Sequence, residues 1–268
     1  MVPTLNAVEL PNRVRIPYVE QGDRRGIPVL LLHGYGDSWH SFNPMFPYLP
    51  PSIRAIAPTL RGFGDAGRSE TGYTVDDFAN DVLAFMDALN IQAAVLAGHS
   101  MGSMIAQRVA MQYPERTLGL LLIGSATTFQ DNLVVRELND VVATLSDPID
   151  PDFVREFQTS MFTRPAPPAF LDTLVAESLK APAHVWKSAL AGILAIDFSD
   201  KLSRIDAPTI IVWGDQDPIC PRAEQEALLA GIRDSRLVVY RDMGHAPNWE
   251  EPMAVTANLI DLIGRIAD

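Results

Sequence analysis

Short apolar runs that recur along the chain constrain its fold more than any other feature. They lie at 28–32, 93–97, 118–123, 209–213 and 237–240. Continuous apolar runs of this length are typical of strands that are buried on both faces of a parallel sheet. Segments with helical apolar spacing lie between them, for example at 75–89 and 103–112. The alternation predicts an α/β fold with a mostly parallel central sheet and helices on both faces.

The stretch from 126 to 199 departs from this alternation. It contains helical patterns near 132–145, 152–162, 169–180 and 184–194, separated by prolines and without a convincing strand. We interpret it as a helical cap inserted into an α/β core formed by 1–125 and 200–268. The alternative is that these helices simply pack on a longer core, and the sequence leaves both interpretations open.

Charge and cysteine content exclude several classes of function. The chain of 268 residues has 33 acidic and 21 basic residues, a formal net charge of -12. Such a surface repels phosphate backbones and anionic lipids, so we expect neither a nucleic acid nor a membrane partner. Cys220 is the only cysteine, which excludes an internal disulfide and a zinc cluster. Without an apolar run of membrane-spanning length or a signal-peptide pattern, we expect a cytoplasmic protein.

The segment Gly98-His99-Ser100-Met101-Gly102 connects an apolar run to a helical pattern. A G-x-S-x-G between strand and helix holds the serine in a strained turn with its hydroxyl exposed, as a nucleophile requires. The helix start also directs amide dipoles toward a developing anion. Because short patterns of this kind also arise by chance, the assignment of Ser100 as nucleophile depends on the other motifs.

A glycine-containing loop follows the first apolar run, at 33–36. Such a loop can direct a backbone N–H at a reaction centre. We predict that the N–H groups of Tyr35 and Met101 form an oxyanion hole, where they stabilise negative charge on a carbonyl oxygen. The alternative is an ordinary tight turn.

A serine nucleophile needs a base, and the base needs an acid that orients it and stabilises its charged form. Among five histidines, His245 alone follows the acidic candidates after a strand, as the chain order Ser, Asp, His requires. Asp215 and Asp217 both follow the run at 209–213. We prefer Asp217 as the acid because it lies farther beyond the strand end, although either carboxylate could instead cap a helix.

Together the segments HGYGDS, GHSMG, GDQDP and GHAPNWEEP resemble the α/β-hydrolase superfamily, within its serine esterase, lactonase and C–C hydrolase branch. The resemblance covers nearly the whole chain and is weakest in the cap. It implies Ser100 as nucleophile, Asp217 as acid and His245 as base, with the Tyr35 and Met101 amides as oxyanion donors. Serine at position 100 argues against haloalkane dehalogenase and epoxide hydrolase relatives, which have an aspartate there.

The neighbours of the catalytic candidates favour an ester or lactone as substrate. Ring-cleavage C–C hydrolases of this superfamily often have Trp after the histidine and Asn before the nucleophile, whereas this chain has Ala246 and His99. We therefore predict hydrolysis of a small, largely apolar substrate through an acyl-enzyme, with no metal and no organic cofactor. Candidate pocket residues of the cap are Phe129, Met161, Phe162 and Trp186, although such residues are often plain packing. We expect Trp249 to be structural.

Several alternatives remain open. On the same fold, the chain could be a C–C hydrolase or a cofactor-free perhydrolase. It could also be a ligand-binding signal protein with slow turnover, or an interaction protein with a vestigial triad, which the intact motifs disfavour. We expect a monomer or homodimer whose partner is a small-molecule substrate.

Overall fold

The computed structural model describes residues 3–267. They contain a central sheet of eight strands. Its strands are β1 (Thr4–Glu9), β2 (Arg15–Gln21), β3 (Ile27–Leu32), β4 (Ile53–Pro58), β5 (Ala94–His99), β6 (Thr117–Ile123), β7 (Thr209–Gly214) and β8 (Ser235–Tyr240). Their spatial order is β1-β2-β4-β3-β5-β6-β7-β8. The β1–β2 and β2–β4 pairs are antiparallel, and the other pairs are parallel. The predicted, mostly parallel sheet is confirmed.

Helices cover both faces of this sheet. They are α1 (Val75–Ala88), α2 (Met101–Gln112), α3 (Leu133–Ala143), α4 (Pro151–Thr159), α5 (Pro168–Ser178), α6 (Ala183–Leu194), α7 (Arg222–Gly231), α8 (Pro247–Glu250) and α9 (Pro252–Ala267). Because side chains alternate along a strand, Leu30 and Leu32 of β3 join the apolar cluster of α1 and α2, whereas Val29 and Leu31 join that of α9. Among residues 3–267, no helix combines the length and the apolar composition that crossing a lipid bilayer requires.

Four helices, α3 to α6, lie between β6 and β7 in the chain, where the sequence predicts helices. The two ends of this segment meet, because Thr128 forms an isolated bridge with Asp197 and the Phe198 N–H donates to the Thr127 carbonyl at 2.9 Å. Its buried side chains, such as Trp186, share one apolar cluster with α1 and α2. The two ends of the segment therefore lie side by side next to the sheet. The helices between them pack on the helices that cover one face of the sheet.

Candidate active site

Ser100 lies at the sharp turn between β5 and α2. Its φ of 53° and ψ of -120° are a strained conformation for a serine. The turn needs glycine on both sides, since a Cβ on Gly98 would lie 2.3 Å from the Gly102 carbonyl oxygen, and one on Gly102 would lie 2.0 Å from that of Leu32. The Ser100 N–H donates to the Ile123 carbonyl at 2.9 Å. These contacts hold the hydroxyl at the carboxyl end of the parallel strands.

An imidazole connects the Ser100 hydroxyl to a carboxylate. His245 follows β8, and its Nε2 lies 2.8 Å from Ser100 Oγ, while its Nδ1 lies 2.8 Å from Asp217 Oδ2. Because an ionised carboxylate only accepts hydrogen bonds, we assign the proton to Nδ1, which leaves Nε2 to accept from the serine hydroxyl. The side chains of His245 and Asp217 are both buried. The structure thus brings the three predicted groups into one hydrogen-bonded relay.

Asp217, rather than Asp215, lies beside the imidazole. Its second oxygen, Oδ1, accepts two backbone N–H groups of the following turn at 2.8 and 2.9 Å, which fixes the carboxylate in place. Asp215 Oδ1 instead accepts the Asp242 N–H at 2.8 Å and stabilises the turn after β8. The greater distance of Asp217 from the strand end is what lets its side chain reach His245.

Two residues whose backbone N–H groups lack a hydrogen-bond partner within residues 3–267 lie beside Ser100. Tyr35 and Met101 both line the pocket in front of Ser100. Met101 is the first residue of α2, and an N–H at that position has no partner within its helix. Within the described part of the chain, the Tyr35 N–H likewise forms no hydrogen bond. Unpaired donors beside a nucleophile are what an oxyanion hole requires.

Two further buried histidines form hydrogen bonds with backbone groups near the site. His33 Nε2 accepts the Leu60 N–H at 2.9 Å, and its Nδ1 donates to the Gly34 carbonyl at 2.8 Å. Burial lowers the pKa of His33 to about 4. His99 Nε2 donates to the His245 carbonyl at 3.1 Å, and burial holds its pKa well below the usual value. Both imidazoles are therefore neutral at physiological pH. His33 fixes the loop that carries Tyr35, and His99 fixes the backbone of His245.

The pocket in front of Ser100 is apolar. Its wall includes Phe129, Val135, Leu138, Phe157, Met161 and Leu190, all from the segment between β6 and β7. Two of the predicted pocket residues, Phe129 and Met161, are among them. Trp249, which the sequence analysis treated as structural, also lines the pocket.

Phe162 and Trp186 do not line the pocket, which corrects the prediction for these two residues. Phe162 packs against Trp249 and Phe170, with ring centroids 5.2 and 6.4 Å apart. Trp186 is fully buried behind the wall, where its ring lies 5.0 Å from that of Tyr35. Helical spacing identifies an apolar side chain but does not reveal which side of the pocket wall it occupies.

Two polar residues of the pocket, Asp37 and Gln158, were not predicted from the sequence. Both are buried, and Gln158 Nε2 donates to Asp37 Oδ1 at 2.9 Å. Burial raises the pKa of Asp37 to about 7. The position of Asp37 in HGYGDS, directly after the glycine-containing loop at 33–36, was a usable signal. No sequence feature marks Gln158, which lies on α4.

Asp217, Cys220 and His245 offer possible metal-ligand atoms within 4.8 Å of one another. Both ring nitrogens of His245 already have partners in the relay. The Cys220 Sγ lies 3.2 Å from the Gly124 carbonyl, and burial raises the pKa of this thiol well above its usual value. A protonated thiol is a poor metal ligand, so the donor set does not fit a metal ion, and we assign these side chains to the relay and its surroundings.

Comparison with known proteins places the chain in a family. The sequence profile of the alpha/beta hydrolase fold matches residues 27–252, and the chain belongs to this family. It is 26% identical to a non-heme chloroperoxidase of Streptomyces lividans, over 97% of this chain and 99% of that protein. It is 29% identical to a 2-hydroxymuconate semialdehyde hydrolase of Pseudomonas sp., over 82% of this chain and 81% of that protein.

Solved structures agree with this assignment. A thermophilic esterase from Thermogutta terrifontis superposes with a TM-score of 0.85 and 26% identity, covering 98% of this chain and 99% of that chain. The fold class and the superfamily predicted from the sequence are thereby confirmed, and the chain is a hydrolase-family protein with esterase relatives.

Proposed function

We propose that the chain is a serine hydrolase that cleaves an ester or lactone of a small, largely apolar compound. The observation that carries the proposal is the imidazole of His245, 2.8 Å from both the Ser100 hydroxyl and the Asp217 carboxylate. This arrangement lets the imidazole take the hydroxyl proton as the oxygen attacks a carbonyl, while the carboxylate stabilises the imidazolium that forms.

The reaction has two halves. Ser100 Oγ attacks the carbonyl carbon, His245 Nε2 takes its proton, and the N–H groups of Tyr35 and Met101 bind the oxyanion. His245 then gives the proton to the departing oxygen, the C–O bond breaks, and an acyl-enzyme remains on Ser100. In the second half, His245 removes a proton from water, which attacks the acyl carbon. The bond from that carbon to Ser100 Oγ then breaks, His245 returns the proton to Oγ, and the acid is released.

We further propose that 126–199 acts as a cap over a core formed by 1–125 and 200–268. Support comes from the pocket wall, to which this segment contributes Phe129, Leu138 and Met161. An apolar wall from one segment, facing polar groups from another, suits a substrate with an apolar body and one reactive carbonyl.

A fluorophosphonate probe tests the nucleophile directly, because its phosphorus is attacked only by an activated serine. We expect the folded protein to be labelled at Ser100, as located by peptide mass spectrometry, and the Ser100→Ala variant to remain unlabelled. Turnover of a short-chain p-nitrophenyl ester by the same preparation separates an enzyme from a slow signal protein. Labelling at a different serine, or none in the folded protein, would contradict the proposal.

Perhydrolysis is a second candidate, favoured by the similarity to the Streptomyces lividans chloroperoxidase. Here hydrogen peroxide would replace water, give a proton to His245 and attack the acyl carbon. The bond to Ser100 Oγ would then break, His245 would return the proton to Oγ, and a peroxycarboxylic acid would be released. With phenyl acetate and hydrogen peroxide together, we expect carboxylic acid to exceed peroxyacid when both products are measured in one reaction. Peroxyacid as the main product would favour the second candidate.

A further inference from the structure

Asp37 places a carboxyl group in a mostly apolar pocket. It lies in the loop after β3, is 2% exposed, and lines the pocket together with Ser100 and His245. Of the residues between 3 and 267 that line this pocket, none is a lysine or an arginine. An anionic group entering the pocket would therefore meet a carboxyl group and no compensating cation.

The groups around the Asp37 carboxyl do not supply a fixed positive charge. Gln158 Nε2 donates to Oδ1 at 2.9 Å, and Ser41 Oγ donates to Oδ2 at 3.4 Å. Two titratable neighbours of this carboxyl group are imidazoles. His245 interacts with it electrostatically. The neutral His99 lies beside Gly34, as Asp37 does, since a Cβ on that glycine would be close to both His99 Nδ1 and Asp37 Oδ2. Desolvation is the main reason why the pKa of Asp37 rises to about 7, and the hydrogen bonds from Gln158, Ser41 and the Gly34 backbone, together with His245, partly oppose it.

The carboxylate also has unused hydrogen-bonding capacity. An ionised carboxylate accepts about four hydrogen bonds, of which Gln158 and Ser41 supply two and the Gly34 backbone N–H a third. A hydroxyl, amide or ammonium group of a ligand could donate to the remaining position. A carboxylate of a ligand could not, and it would add a second negative charge to a site with few polar partners, which is costly.

We propose that Asp37 determines which substrate charges the pocket accepts: esters with uncharged or cationic acyl and alcohol parts bind, and esters carrying a carboxylate are rejected. This inference rests on the proposed ester hydrolysis. A purely structural role, in which Asp37 only connects α4 to the loop after β3 through Gln158, would affect all substrates alike. Discrimination between charged and uncharged substrates therefore separates the two roles.

The experiment compares two pairs of matched esters, one pair for each side of the scissile bond. On the acyl side, p-nitrophenyl pentanoate is compared with mono-p-nitrophenyl glutarate; on the alcohol side, methyl 4-acetoxybenzoate is compared with 4-acetoxybenzoate. The measured quantity is the ratio of kcat/KM for the uncharged ester to kcat/KM for the anionic one. Ser100→Ala provides the blank rate. Effects of a substitution on folding or on the relay cancel in this ratio.

Above the pKa of Asp37, we expect a wild-type ratio on the order of tenfold or more in at least one pair. Asp37→Asn keeps the size of the side chain and removes its charge, so the ratio for that pair should fall toward one. Asp87→Asn removes the same charge from an exposed residue paired with Arg116. Arg116 also donates to the Gln92 carbonyl, before β5 begins, so this control lies at the opposite end of the sheet and should keep the wild-type ratio.

The wild-type enzyme alone gives a second readout. Because the pKa of Asp37 is raised to about 7, its carboxyl is neutral below that pH and charged above it, so the ratio should decrease as pH falls through about 7. Both anionic esters stay ionised over this range. A ratio that does not change with pH, or is the same in wild type and Asp37→Asn, overturns the inference. Failure of wild type to hydrolyse the uncharged esters would instead contradict the proposed function.

Discussion

Replacing Ser100 by alanine is expected to lower kcat for a short-chain p-nitrophenyl ester about a millionfold, because no acyl-enzyme can form. The Ser100 hydroxyl lies 2.8 Å from the only base of the relay, and the methyl group of alanine cannot take its place. Steady-state release of p-nitrophenolate, corrected for the uncatalysed rate, measures the effect. The residual rate should reflect only binding and the oxyanion donors.

A matched control and a double variant make this expectation specific. Ser52 is exposed in a turn before β4, and Ser52→Ala should keep the wild-type kcat. Because the hydroxyl and the imidazole act as a unit, Ser100→Ala combined with His245→Ala should lose no more activity than Ser100→Ala alone. Retention of most activity by Ser100→Ala would refute the nucleophile assignment, and additive losses would show that the two groups act separately.

The second large effect is expected for Asp217→Asn, which should lower kcat about ten-thousandfold. Asparagine preserves the shape of the side chain but offers no negative charge to the imidazolium. Its amide can also favour the wrong tautomer of His245, with the proton on the nitrogen that must accept from Ser100. The measurement is kcat for the same p-nitrophenyl ester, with circular dichroism to verify that the variant is folded.

Asp215→Asn is the matched control for this substitution. It makes the same chemical change two residues earlier, at a carboxylate whose partner is the Asp242 N–H rather than His245. We expect kcat within about threefold of wild type, since the change lies outside the relay. If Asp215→Asn were the damaging change and Asp217→Asn the mild one, the acid of the relay would be misassigned.

Most of the strands that the sequence predicted correctly are buried on both faces of the sheet, whereas β8 was predicted from its apolar run although its residues are only half-buried or exposed. In β5, β6 and β7 almost every residue is buried, so each appears as an uninterrupted apolar run. Polar residues lie within the three missed strands; β4, for example, is buried on both faces but contains Arg54. β1 is a mostly exposed edge strand, and β2 buries Glu20, which pairs with Arg54 of β4 at 2.7 Å. A polar side chain can be buried in a strand when it pairs with a residue that is distant in the sequence. Because the pairing cannot be seen in the sequence, such a strand does not show an apolar pattern.

The relay was predictable and the pocket was not, for a related reason. Ser100, Asp217 and His245 each follow a predicted strand, and parallel strands bring their carboxyl ends to one edge of the sheet. The pocket wall depends instead on the position of helices α3 to α6 relative to the sheet and on which side of each helix faces Ser100. That is why Phe162 and Trp186 were placed wrongly, and why Gln158, 121 residues from its partner Asp37, was not found.

The strand β8 forms one border of the sheet and is paired by β7 alone, whereas β5, which leads into Ser100, lies between β3 and β6. Local opening costs least where contacts are fewest. Fraying at this border would displace His245 while the sharp turn that carries Ser100 stays in the interior. Resistance to inactivation is therefore expected to depend on the stability of this border rather than on that of the whole molecule.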